Sequence, residues 1–153
     1  MKRISFYILK TFAFISRMFS SCLYMVLIVK AHKIAGVHFL GKPEYIHTDA
    51  MLDPSGSLTI SDNVVISTKV IILTHDWSGL KRTKLLDRGG DLQAFKPVLI
   101  NENSFIGAGV IILPGSTVGK NCIIGAGAVV KGNVEDYSIV VGNPCKKIGD
   151  TRL

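Results

Sequence analysis

From Ile100 onward an aliphatic side chain returns every six residues: Ile100, Ile106, Ile112, Val118, Ile124 and Val130. The fourth residue after each is small or β-branched: Ser104, Val110, Ser116, Cys122, Ala128 and Val134. The same frame holds upstream at Ile60, Ile66 and Ile72, with Val64 and Val70 in the smaller position. A helix would space apolar residues by three and four, and a half-buried strand by two. A strict six fits a triangular prism. Each hexad supplies one short strand and one corner, and three hexads close a coil. Coils stack as parallel strands and bury a continuous core that no single repeat could bury alone. Glycine and asparagine at corners allow positive φ at low steric cost. The period leaves handedness open, since parallel β crossovers are normally right-handed.

The frame breaks twice. Ile46 and Leu52 lie six apart but two residues out of frame with Ile60, which predicts a partial coil with a two-residue insertion between Asp53 and Ser57. Between Ile72 and Ile100 the frame is lost, and residues 76–95 read as a charged, glycine-containing loop thrown out from one corner. Long loops in compact domains tend to be functional. Its cations Lys81, Arg82, Lys84 and Arg88 fit a sugar nucleotide or lipid-linked diphosphate, or simply face solvent. The expected organisation is an amphipathic helical segment over 1–40 and a β-helix domain over 41–153.

From Met1 to about Val29 the chain reads as one helix. Arg3, Lys10 and Arg17 lie seven apart, near one line on an otherwise apolar rod. The longest uncharged run, Met18 to Val29, has twelve residues, against the ~20 a membrane span needs. Lys10 and Arg17 also interrupt any signal-peptide core. Two placements fit this segment: an interfacial helix making peripheral membrane contact, or a helix packed on the coils or at a subunit contact.

The net charge is +7 over 153 residues, which favours anionic partners such as nucleotide cofactors or acidic lipid. No aromatic and basic residues interleave as a nucleic-acid surface requires, so no nucleic acid is expected. Cys22, Cys122 and Cys145 form neither a CxxC nor an even set. That excludes a disulfide framework and a zinc site, and it fits a cytoplasmic, reducing compartment.

His75 stands where the strand Ile71-Ile72-Leu73-Thr74 gives way to the loop. A histidine mounted on a rigid coil beside a covering wall suits a general base, because imidazole can be neutral at pH 7 and still accept a proton. The stretch ILTHDWSG, the loop, and KPVLINENSFIGAGVIILPGSTVGKNCIIGAGAVVKGNVEDYSIVVGNPCKKIG resemble the maltose/galactoside O-acetyltransferase branch of the hexapeptide-repeat acyltransferases. The resemblance covers roughly Thr59 to Gly149.

It implies an all-β, left-handed parallel β-helix, a homotrimer with active sites between subunits, and acetyl-CoA as acyl donor without a metal. His75 is then the catalytic base, acting on a sugar hydroxyl in O-antigen, capsule or exopolysaccharide synthesis. The cofactor-binding positions it implies are Phe105, Ala108, Ala126, Lys131, Gly132 and Lys146. His47, Asp53, Asp76 and Trp77 are candidates for the acceptor side. Asp76, Asp53 or a backbone carbonyl would orient the imidazole. The chain departs from the family pattern in carrying Phe105 where Trp is common, Gly149 at a second basic position, and a longer loop after His75.

Three other readings compete: an N-acetyltransferase for a nucleotide-linked amino sugar, a non-catalytic β-helix scaffold, and a gamma-class carbonic anhydrase. The last needs three histidines converging on one metal, and only His75 lies in the clear coils.

Overall fold

The structure is a computed structural model, which describes residues 2–18, 20–78 and 94–153. Most of the 76–95 loop, including its four cations, lies outside the described residues.

Two helices come first, α1 (Lys2–Ser16) and α2 (Ser21–Ala35). The single helix expected to about Val29 is therefore interrupted and longer. Ser20 breaks it: its backbone is extended and its side chain accepts the Leu23 N–H, capping α2. Gly36 closes α2 with a left-handed φ of 114°.

Four coils follow. They are β1 (His38–Phe39), β2 (Tyr45–Ile46) and β3 (Met51–Leu52); β4 (Leu58–Ile60), β5 (Val65–Ile66) and β6 (Ile71–Ile72); β7 (Val98–Ile100), β8 (Phe105–Ile106) and β9 (Ile111–Ile112); β10 (Thr117–Val118), β11 (Ile123–Ile124) and β12 (Val129–Val130). A last partial turn holds β13 (Asn133–Val134), β14 (Ser138–Val141) and β15 (Lys146–Asp150). The strands form three walls, ordered β1-β4-β7-β10-β13, β2-β5-β8-β11-β14-β15 and β3-β6-β9-β12. Among the described residues every pairing between these strands is parallel except that of β14 with β15, which folds back across the last edge.

Each predicted inward aliphatic is buried, and so is each smaller fourth-after residue. Leu52 pairs with Ile72, two residues beyond three hexads, so the insertion bulges between β3 and β4 without shifting the ladder. At the corners the chain turns through positive φ. Asn63, Asn103 and Asn121 do this at the first corner, Lys69, Gly109 and Gly127 at the second, and Ser57, Gly115 and Gly132 at the third. The helices extend the core past the first coil. Ala13, Tyr24 and Ile28 pack with Ile46, Ala50 and Leu52, and the Tyr24 hydroxyl donates to the Ile46 carbonyl.

Candidate active site

His75 leaves the third corner at the end of the second coil. The excursion opens and closes as a short antiparallel stem: His75 bridges Phe95, Asp76 N–H donates to Ala94 O at 2.7 Å, and Lys96 N–H donates to Thr74 O at 2.8 Å. The imidazole is thus held at the loop mouth, partly open to solvent.

Asp53, from the insertion one coil below, orients the ring. Its Oδ2 lies 2.6 Å from His75 Nδ1. That oxygen also accepts the Thr74 N–H at 2.9 Å and the Thr74 hydroxyl at 2.7 Å. Oδ1 accepts the Ser55 N–H at 3.0 Å and the Ser55 hydroxyl at 2.6 Å. Burial pushes the Asp53 carboxyl upward, but these bonds from Ser55 and Thr74 outweigh it and hold the group well below the usual carboxylate range. An ionised carboxylate only accepts, so Nδ1 carries the proton. The lone pair of a neutral ring then sits on Nε2, which has no hydrogen-bond partner among the described residues. Thr74 is fully buried and its hydroxyl also accepts the Gly56 N–H at 2.8 Å, so the inserted residues are tied to the coil above.

Asp76 does not touch the ring. Its carboxylate accepts the Ser78 N–H at 2.8 Å. Trp77 is exposed and packs edge-on against Phe95, with ring centroids 5.6 Å apart. His47 is not brought to His75 either. It lies at the second corner and pairs through Nδ1 with Asp49, while Arg17 Nη1 faces its Nε2 at 3.1 Å. Asp49 in turn accepts the Thr68 hydroxyl at 2.7 Å and the Lys69 N–H at 2.9 Å. Burial raises the Asp49 carboxyl, and those bonds together with His47 bring it down to about 2.

The remaining predicted residues divide between two corners. Ala108 and Ala126 stack at the second, where Gly127 N–H donates to Ala108 O at 2.8 Å. A Cβ on Gly107 would come within 2.7 Å of the Ala126 nitrogen, so the coils approach closely here only because that residue is glycine. Among the described residues the Ala108 and Ala126 N–H groups donate to no backbone carbonyl. Phe105 lies exposed on the adjoining wall. Lys131 and Gly132 belong to the third corner, above His75, and Lys146 begins β15, exposed. Cys122 is fully buried with its thiol directed at Glu135 O, 3.0 Å away, and burial raises its pKa. A thiol so placed is structural. Among the described residues no group of His, Cys, Asp or Glu could hold a metal ion.

Sequence reasoning missed Thr74, Ser55, Asp49 and Arg17. A signal existed for Thr74: it lies two residues after inward-facing Ile72 and so shares its face.

Residues 97–132 match the family model for the bacterial transferase hexapeptide, six repeats. The galactoside O-acetyltransferase of Lactococcus lactis is 37% identical over 120 residues, covering 75% of this chain and 55% of that protein. The maltose O-acetyltransferase of Clostridium difficile is 35% identical, with a TM-score of 0.52, over 75% of this chain and 57% of that one. A hexapeptide-repeat acetyltransferase from Vibrio cholerae, solved with acetyl coenzyme A, superposes over 98% of this chain and 87% of its own with a TM-score of 0.65. At 20% identity that likeness speaks to the fold, a left-handed parallel β-helix. The chain spans about half the length of the curated relatives it matches. By its repeat, its coil and its relatives, the chain carries a bacterial transferase hexapeptide repeat over residues 97–132 and is similar to the hexapeptide-repeat acetyltransferases over three quarters of its length.

Proposed function

We propose that the chain is an acetyl-CoA-dependent O-acetyltransferase acting on a sugar hydroxyl, with His75 as general base. The observation that carries this reading is the Asp53–His75 pair, which fixes the imidazole tautomer and leaves Nε2 without a partner among the described residues. His75 Nε2 takes the proton of the acceptor hydroxyl as that oxygen bonds to the acetyl carbon. The same proton then passes from His75 to the departing sulfur as the C–S bond breaks. A positioned base of this kind contributes ~10²–10⁴-fold. Asp53, ionised throughout, stabilises the imidazolium formed between the two transfers.

Acetyl-CoA supplies the activated acyl group when bound, and the residues present suit it. Ala108 and Ala126 offer small side chains and backbone N–H groups with no carbonyl partner, fit for a pantetheine arm. Phe105 adds an exposed aromatic face beside them. Lys131, with Gly132, and Lys146 are exposed cations suited to nucleotide phosphates. These positions occupy the second corner, the third corner and β15, so one protomer does not gather them around His75. A homotrimer supports them as one site, with the third corner of one protomer facing the second corner of the next. His47 shares that second corner with Ala108 and Ala126, and with Trp77 and Asp76 at the loop mouth it forms the acceptor side of the same reading. We assign the reaction to polysaccharide biosynthesis at the cytoplasmic face of the cell membrane.

The test is acetyl-CoA-dependent thiol release across a panel of sugar acceptors. His75→Ala is expected to lower turnover by ~10²–10⁴-fold with the assembly unchanged on gel filtration. Retained turnover removes His75 from the mechanism. A product stable to mild base would be an amide and would reassign the acceptor to an amine.

A further inference from the structure

The charge of this molecule is segregated. Residues 1–43 hold seven Lys and Arg and no Asp or Glu, while residues 44–153 hold eleven of each. The whole net charge of +7 therefore sits on the helices and the chain just after them, and the rest of the molecule is neutral.

The α1 helix has two apolar faces. One, through Phe6, Leu9 and Ala13, turns inward. The opposite face, through Ile4, Ile8, Phe12, Ile15 and Met18, is 49–81% exposed. A helix apolar all round is ordinarily covered on both sides. Lys2 and Arg3 lie exposed at its start, whereas Lys10 sits over the inward Phe6 ring and Arg17 faces His47 on the coil. Between α2 and the first coil lies an open groove of about 820 Å³ with Met25, Val26 and Val29 in its wall and Lys30, Lys33 and Lys42 around it. Among the described residues no helix is long and apolar enough to cross a membrane.

We infer that the α1–α2 hairpin docks on an anionic phospholipid surface, with the outer face of α1 entering the headgroup layer and the flanking cations meeting lipid phosphates. This deepens the membrane assignment above by naming the binding face and its partner. It does not depend on the chemistry at His75. Bare apolar side chains bordered by cations, with no acidic residue among them, are what an interfacial helix presents to acidic lipid. A neutral apolar protein partner would leave the charge segregation without a role.

The experiment is co-sedimentation of the full chain with vesicles of phosphatidylcholine alone or mixed with phosphatidylglycerol. Binding is expected on the mixed vesicles, weak on the neutral ones, and reduced by added salt. Ile8→Glu with Ile15→Glu, and separately Lys2→Glu, Arg3→Glu and Lys30→Glu together, should each weaken binding by at least about tenfold. These side chains are exposed, so folding and thiol release with a soluble acceptor should persist. Equal binding to both vesicle types, or none to the mixed ones, overturns the inference. So does a wild-type assembly that ignores vesicles and falls apart on gel filtration when Ile8 and Ile15 are changed, since the face then joins copies of the chain. Vesicle binding without acetyl transfer would leave this inference standing and sink the catalytic one.

Discussion

Two aspartate–histidine pairs occupy this column, one at the third corner and one at the second. In both, a carboxylate meets Nδ1 of the ring and is steadied by a hydroxyl and a backbone N–H from the coil above: Thr74 for Asp53, and Thr68 with Lys69 for Asp49. They differ at the far nitrogen. Nε2 of His75 has no hydrogen-bond partner among the described residues, whereas Nε2 of His47 faces the Arg17 guanidinium. A guanidinium donates and never accepts, so it occupies the lone pair a base would need. The carboxylate makes an imidazole orderly, and only the space beyond the ring makes it useful. In this protomer the first pair suits the proposed proton transfer, and the second ties the helical hairpin to the coil.

The sharpest way to break this contrast is to neutralise each carboxylate. Asp53→Asn should lower kcat by about 10²–10³-fold, because the amide no longer holds the tautomer. Asp49→Asn should cost less than about tenfold in the same thiol-release assay. Equal losses would mean that the two pairs share one task.

A third histidine extends the contrast by having no carboxylate at all. His32, in α2, is 1% exposed, and among the described residues neither ring nitrogen has a hydrogen-bond partner. Burial, helped by the Lys10 charge, lowers its pKa to about 4. In the unfolded chain the ring takes up its proton near the ordinary value of ~6.5. Between those two values the unfolded state binds more protons, so stability falls as pH falls. The loss should begin near pH ~6.5 and reach on the order of 2–3 kcal/mol by pH ~4. Urea denaturation across that range measures it, and His32→Leu should flatten the dependence.

Thr74→Val tests whether the buried hydroxyl supports Asp53. It should cost ~1–3 kcal/mol of stability, since it leaves the carboxylate and the Gly56 N–H each short of a partner. The smallest effect belongs to Arg17→Met. It frees the His47 ring for less than about 1 kcal/mol and should leave kcat within about twofold.

The walls were legible because the prism interior admits one kind of side chain at each inward position, and Ile100, Ile112 and Ile124 left no other consistent period. The hairpin was less so. Its run is apolar throughout, and the only mark of a break is Ser20, whose capping bond to Leu23 looks like any serine in a row of letters. The pairing of His75 with Asp53 lay within reach, since one coil plus the insertion sets Asp53 below Leu73, two residues before His75. Choosing Asp53 over the adjacent Asp76 needed the insertion's path, which depends on Thr74 bonding across coils. The His47–Asp49–Arg17 contact was not legible, because it joins a helix end to a corner 30 residues away with no period linking them.

The reversal of β15 has a consequence for solubility. A stack of parallel coils is extensible in principle, for each finished layer offers the next a row of unsatisfied amides, and a second molecule could serve as that layer. By running antiparallel along β14, β15 consumes the donors and acceptors of the second wall in the wrong direction for another coil to follow. The strand acts as a terminator against end-to-end polymerisation, and its removal should turn a discrete particle into a fibre-forming one.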